Sequence, residues 1–152
     1  MQIVEVTEGK GAICAAILAT LPDWFGMPQS NAAYIRDVET MPVWAAAEGG
    51  ARFGFLALKQ PTPMVFEIHV MGVTPGRHRA GAGRALVDAA AAHARARGAR
   101  ALTVKTLSAR DPDAGYARTR LFYEAMGFWP VDELPEELSP GNPQVLLLKR
   151  LD

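Results

Sequence analysis

The chain has 152 residues, 49% hydrophobic and 21% charged, which suits one folded domain, 1–152, that buries a core without disulfides or metals, and excludes a disordered chain. Lys plus Arg equal Asp plus Glu at 16 each, so no net field recruits nucleic acid or an anionic membrane. Cys14, the one cysteine, cannot close an internal disulfide; the N-terminus lacks a signal-peptide pattern and no apolar run approaches the roughly 18 residues of a membrane span, so a cytoplasmic protein is expected.

Ile3 to Val6 is a β-branched run that predicts a first strand. Ile13, Ile17 and Leu18 fall on one helical face within 11–21, with Pro22 as the stop. Trp24 and Phe25 follow in a loop, where they suit either a cover for the core edge or a wall for a substrate. A second helix over 30–40 is predicted, with Ser30 as its cap, Tyr34, Ile35 and Val38 inward, and Pro42 beyond its end. Two apolar runs, 43–47 and 52–58, flank Gly49 and Gly50 and read as a hairpin. Pro61 and Pro63 are expected to break the chain before the next strand, 64–73.

Parity divides that strand. Phe66, Ile68 and Val70 make an apolar face suited to the helix that follows, whereas Glu67, His69 and Met71 share the other. Two ionisable groups on a central strand need water or partners, because an unpaired buried charge costs several kcal/mol. They either pair with neighbours or face a cleft, where one could take a proton from a substrate. After Val73 comes a loop rich in glycine and basic residues, then an Ala-rich helix over 81–97 stopped by Gly98. That order makes an anion site from backbone, since a helix start carries unpaired N–H groups and partial positive charge. Six arginines against Asp88 alone between Arg77 and Arg100 add local charge.

The loop is not a nucleotide P-loop, because Ala82 and Gly83 stand where Lys and Ser or Thr are required. It is not a dinucleotide fingerprint either, because Leu86 occupies the place of the third glycine. His78, Arg79, Gly81, Gly83 and Arg84, following Val73 and Pro75, resemble instead the pyrophosphate loop of the GNAT superfamily, the acyl-CoA-dependent N-acetyltransferases. His78 replaces the usual Gln or Arg. Gly54, Phe55 and Leu56 resemble a strand segment of the same family.

Downstream, 101–106 reads as a buried strand, and Asp111, Pro112 and Asp113 open a further helix. Within it Phe122, Tyr123, Glu124, Gly127 and Phe128 resemble the family's Phe-Tyr-Glu-x-x-Gly-Phe segment, with Tyr116 where many members carry an Asn seven residues before the Tyr. The tail, with strands predicted at 128–134 and 145–151, is similar to a bacterial subgroup of unknown acceptor.

This resemblance implies an α/β (α+β) GNAT fold: a mixed, mostly antiparallel twisted sheet of about six to seven strands flanked by about four helices, with a splayed parallel pair at the cofactor site. It implies acetyl-CoA as co-substrate, held by Met71, Gly72, Val73, His78, Arg79, Ala80, Gly81, Ala82, Gly83, Arg84 and Tyr116. Tyr123 would donate a proton to the leaving thiolate, with Glu67 or His69 as candidate base. The acceptor would be a small amine or a peptide amine. No metal, nucleic acid or membrane is expected as a partner, and homodimers are common in the family. The changes at His78 and Tyr116 would also suit a non-catalytic acyl-CoA-binding sensor or partner-binding module.

Overall fold

A computed structural model describes residues 1–78 and 80–152. Among the described residues, seven strands form one mixed sheet in the order β1-β2-β3-β4-β5-β7-β6: β1 (Gln2–Val6), β2 (Val43–Glu48), β3 (Ala51–Thr62), β4 (Val65–Val73), β5 (Ala101–Leu107), β6 (Phe128–Glu133) and β7 (Gln144–Arg150). β4 and β5 are a parallel pair, and the helices are α1 (Lys10–Leu18), α2 (Pro28–Asp37), α3 (Ala82–Ala96) and α4 (Ala114–Ala125). None of the described helices is long and apolar enough to cross a membrane. The chain divides into two compact units, 1–59 with 68–93 and 60–67 with 94–152.

In the first unit β1 and β2 pair antiparallel from Gln2 opposite Ala47 to Val6 opposite Val43, and β2 pairs antiparallel with β3. Val43, Ala45, Phe55, Ala57 and Val70 of the strands join Ile13, Cys14, Ile17 and Leu18 of α1 in one buried cluster. Val70 therefore faces α1, not the helix that follows β4 as the parity of the strand suggested. Gly72 is what lets α1 come this close. A Cβ on it would sit 2.8 Å from Leu21 Cδ1 and 3.4 Å from Ile17 Cγ2.

Element ends differ from expectation in three places, each for a local reason. α1 stops at Leu18, and its exit tightens through Thr20 N to Ile17 O and Leu21 N to Leu18 O before Pro22, which has no N–H to continue it. α2 begins at Pro28, so Ser30 lies inside the helix and is not its cap; Met27 is extended and Pro28 supplies a preset φ in the first turn. A short 3-10 turn, Val38–Thr40, follows, which places fully buried Val38 under the helix exit. Finally, β3 continues through Pro61. Its pairing with β2 ends at Ala57 opposite Val43, with Leu58 N still bonded to Pro42 O, so Pro61 lies beyond that ladder.

In the second unit β7 pairs antiparallel with β5, from Ala101 opposite Arg150 to Leu107 opposite Gln144, and also with β6. β6 is the sheet edge. It tolerates Pro130 because an edge strand can lack a donor, and an irregularity between Pro130 and Asp132 interrupts its ladder. Asp113 caps α4 by accepting the Tyr116 N–H at 3.0 Å, and Lys149 Nζ donates to Met126 O at the other end, a cation where the helix dipole is negative.

Candidate acetyl-CoA site

The loop between β4 and α3 is built from backbone turns. Thr74 N donates to Phe53 O at 2.8 Å, and Arg77 N returns to Thr74 O at 3.1 Å. His78 Nε2 lies 2.6 Å from Val73 O, and its ring stands edge-on to Trp24 with centroids 6.1 Å apart. The histidine that replaces the family's Gln or Arg thus holds the loop to the end of its own strand. Arg77 turns away, paired with Glu48 at 3.4 Å and stacked 4.6 Å over the Phe53 ring. Arg95 lies in the last turn of α3 and Arg97 and Arg100 lie past it, so these three are not at the helix start. Arg79 lies outside the described residues.

Gly81 precedes α3 with φ of 85°, in the left-handed region, and open space surrounds its missing Cβ. This turn aims the chain so that Ala82, Gly83 and Arg84 form the first helical turn, and Ala85 N to Gly81 O at 3.0 Å is the bond that closes it. First-turn N–H groups have no carbonyl within the helix to accept from them, and they carry the positive end of the dipole. Ala82 is buried against the core, Gly83 is half-buried without a side chain to obstruct, and Arg84 and Ala80 are exposed. Just upstream, Met71 and Val73 are half-buried on either side of Gly72.

The two ionisable groups of β4 have different surroundings. Glu67 is 7% exposed and lies in the second unit with β5, where Thr103 Oγ1 donates to Oε1 at 3.2 Å and Lys105 Nζ lies 3.4 Å from Oε2. His69 lies in the first unit with α2. Its Nε2 is 3.1 Å from Asp37 Oδ2, and its ring meets Tyr34 edge-on at 5.4 Å between centroids. Tyr34 in turn meets Phe25 edge-on at 6.1 Å, so the loop aromatic continues the same cluster. Asp37 was not singled out in the sequence. It lies 32 residues from His69, and no local spacing connects them.

Tyr123 lies on α4 in the second unit, edge-on to Phe122 and Phe128 at 5.3 Å each. It is 4% exposed, and burial first, then neighbouring Tyr116, holds its hydroxyl well above the usual tyrosine value near 10. The hydroxyl therefore stays protonated throughout the neutral range. No hydrogen bond to it is present among the described residues. Tyr116, two helical turns earlier, shares its helix face.

A sequence model described as the Acetyltransferase (GNAT) family matches residues 12–128. Mycothiol acetyltransferase of Beutenbergia cavernae is 39% identical over 82 residues, which are 54% of this chain and 26% of that protein, so the chain matches about a quarter of its curated relative. A putative GNAT-family acetyltransferase from Desulfovibrio desulfuricans superposes with a TM-score of 0.84 at 19% identity, covering 99% of both chains. An aminoglycoside 6'-N-acetyltransferase in complex with coenzyme A superposes with a TM-score of 0.78 at 20% identity, over 100% of this chain and 98% of that one. At those identities the superpositions establish the fold, whereas the family match covers most of the chain. This chain belongs to the GNAT acetyltransferase family.

Proposed function

We propose that residues 1–152 are a single N-acetyltransferase domain that transfers an acetyl group from acetyl-CoA to a primary amine by direct attack in a ternary complex. The observation that supports this reading is the strand end followed by the left-handed Gly81 and the first turn of α3, an arrangement whose backbone N–H groups would accept a diphosphate. Met71, Gly72 and Val73 would pair with the pantetheine arm as an added strand. A backbone N–H near Met71 would donate to the oxyanion.

Ala80, Gly81, Ala82, Gly83 and Arg84 would hold the pyrophosphate, together with His78 and Arg79. His78 would do so mainly by keeping the loop in place through Val73 O. Tyr123 would act as general acid to the departing thiolate, with Tyr116 beside it on the helix; its raised pKa keeps it protonated for that task. The proton acceptor for the amine would come from Glu67 or His69 on β4. The acceptor itself would be a small amine or a peptide amine.

The test is the melting temperature with saturating acetyl-CoA, with NAD and ATP as controls. Ligand at about 100 times its dissociation constant adds roughly 2.7 kcal/mol, about 8 °C for a chain of this size. A shift with acetyl-CoA alone, followed by thiol release in the presence of amines, supports the transferase. A shift without transfer to any amine supports an acyl-CoA sensor instead, and no shift overturns the site.

A further inference from the structure

In the second unit burial alternates along β7, with Val145 and Leu147 buried and Leu146 and Leu148 half-buried. The buried side faces α4, since Phe128, opposite Lys149 in the register, meets the Tyr123 ring edge-on. On the other side one row of side chains crosses four strands. Trp129 of β6 lies opposite Leu148 of β7, Leu148 lies opposite Thr103 of β5, and Thr103 Oγ1 donates to Glu67 Oε1 of β4 at 3.2 Å. Residues directly opposite in an antiparallel ladder share a face, so the row runs without a break from a carboxylate to an indole. We infer that this row is the floor on which the acceptor lies, and that it selects a primary amine carried on an apolar body, with the nitrogen at the Glu67 end and the far end of the body against Trp129. This rests on the transferase reading and names the acceptor class of the same site.

The row changes character along its length. Glu67 and Thr103 are buried polar groups, Leu148 offers only apolar surface, and Trp129 stands 46% exposed at the sheet edge. From Thr103 to Trp129 is two interstrand spacings, about 10 Å, which sets the length of body the floor can cover. An exposed indole beside a half-buried leucine gains most from an apolar ligand, because both surfaces leave water together.

Charged rows border the strip. Two residues along, Leu146 lies between Lys105, whose side chain is 42% exposed, and exposed Asp132. Two residues the other way, Arg150 lies opposite Ala101 and pairs with Asp152 at 2.7 Å. These groups keep their water, since covering a charge without a partner is costly, so the apolar floor is about one side chain wide. A second ammonium on the acceptor would lie near Lys105 or Arg150 and be repelled. At the nitrogen end Lys105, 3.4 Å from Glu67, disfavours a charged ammonium, and attack on a thioester needs the neutral amine. The chemistry that fits is a monoamine on an alkyl chain or a single aromatic ring.

The test is a series of straight-chain amines from ethylamine to octylamine with acetyl-CoA and the full chain, read by thiol release. In the wild type kcat/KM rises about 4-fold per added methylene, the transfer of one CH2 out of water, until the chain reaches Trp129, and diaminobutane is a poorer substrate than butylamine. Trp129→Ala lowers kcat/KM for octylamine about 10-fold or more through KM, while ethylamine and acetyl-CoA affinity stay within about 3-fold; Trp129→Phe recovers most of the loss. Val131→Ala is the control, because Val131 is equally exposed at 46% on the same strand but lies outside the β6–β7 register, and it leaves the series unchanged. A folding defect lowers ethylamine and octylamine rates alike, so the ratio of the two isolates the floor. A flat series in the wild type, or a ratio that Trp129→Ala leaves unchanged, overturns the inference while the transferase stands. Bound acetyl-CoA with no amine acetylated overturns the transferase reading and this inference with it.

Discussion

Replacing Gly81 by alanine separates backbone geometry from side-chain chemistry at the proposed diphosphate site. Nothing lies within 4 Å of the added Cβ, so the substitution creates no clash, and its cost is that of holding an L-residue at φ of 85°. That is about 1–2 kcal/mol. With 152 residues at about 2.1 cal/mol/K each, the unfolding entropy is about 0.32 kcal/mol/K, so the melting temperature falls by about 3–6 °C.

Gly98, at the other end of α3, is the matched control. It has φ of 80° and equally open space, so Gly98→Ala loses a similar amount of stability. The two part company in acetyl-CoA binding. Relaxing Gly81 from the left-handed region turns the first-turn amides, and losing one charge-assisted hydrogen bond costs about 1.5–3 kcal/mol, a roughly tenfold to hundredfold weaker Kd. Gly98→Ala leaves Kd unchanged. Isothermal titration with acetyl-CoA on both folded variants decides it. If Gly81→Ala binds as tightly as Gly98→Ala while showing the same loss of melting temperature, the backbone site at the start of α3 is wrong.

Other expectations follow from the site's chemistry. Tyr123→Phe keeps the ring contacts to Phe122 and Phe128 and removes only the hydroxyl, so stability changes little while turnover, read by thiol release, falls about 100-fold or more; acetyl-CoA affinity stays within about 3-fold. Because folding raises the Tyr123 pKa, the protonated form is favoured in the native state, and its stabilisation is present below pH 10 and lost as pH rises beyond it. Glu67→Gln tests that carboxylate as the base: if it takes the amine proton, kcat falls about 100-fold and the acidic limb of the pH–rate profile is displaced, whereas a profile matching wild type rules Glu67 out. Cys14 is 0% exposed and burial pushes its thiol up to about 11, so it resists alkylation in the native state at neutral pH. Its contribution to stability is intact below pH 9 and lost between pH 9 and about 11, measurable by chemical denaturation across that window.

Much of the arrangement was legible because it is local. The Gly81-to-Arg84 turn, the Asp113 cap and the Gly98 stop each depend on the conformational preferences of a few adjacent residues. The hairpin at Gly49 and Gly50 was readable for the same reason. Strand parity on β4 was a weaker guide. It grouped Glu67 with His69, although one bonds to β5 and the other to α2, and it sent Val70 toward the wrong helix. Three of the six arginines, Arg95, Arg97 and Arg100, lie at or past the far end of α3, which the count of charges alone did not reveal.

The sequence by itself determined the order of strands and helices, the glycine-led start of α3 and the position of Tyr123, since propensity, capping and motif spacing act over a few residues. Only the tertiary structure decided which partners the ionisable groups of β4 meet. Asp37 and His69 are 32 residues apart and meet at 3.1 Å because α2 packs beside this part of β4, and Glu67 meets Thr103 and Lys105 because β5 brings them against it. Those pairings depend on long-range packing, in which each side chain's chemistry is set by neighbours that no local window contains.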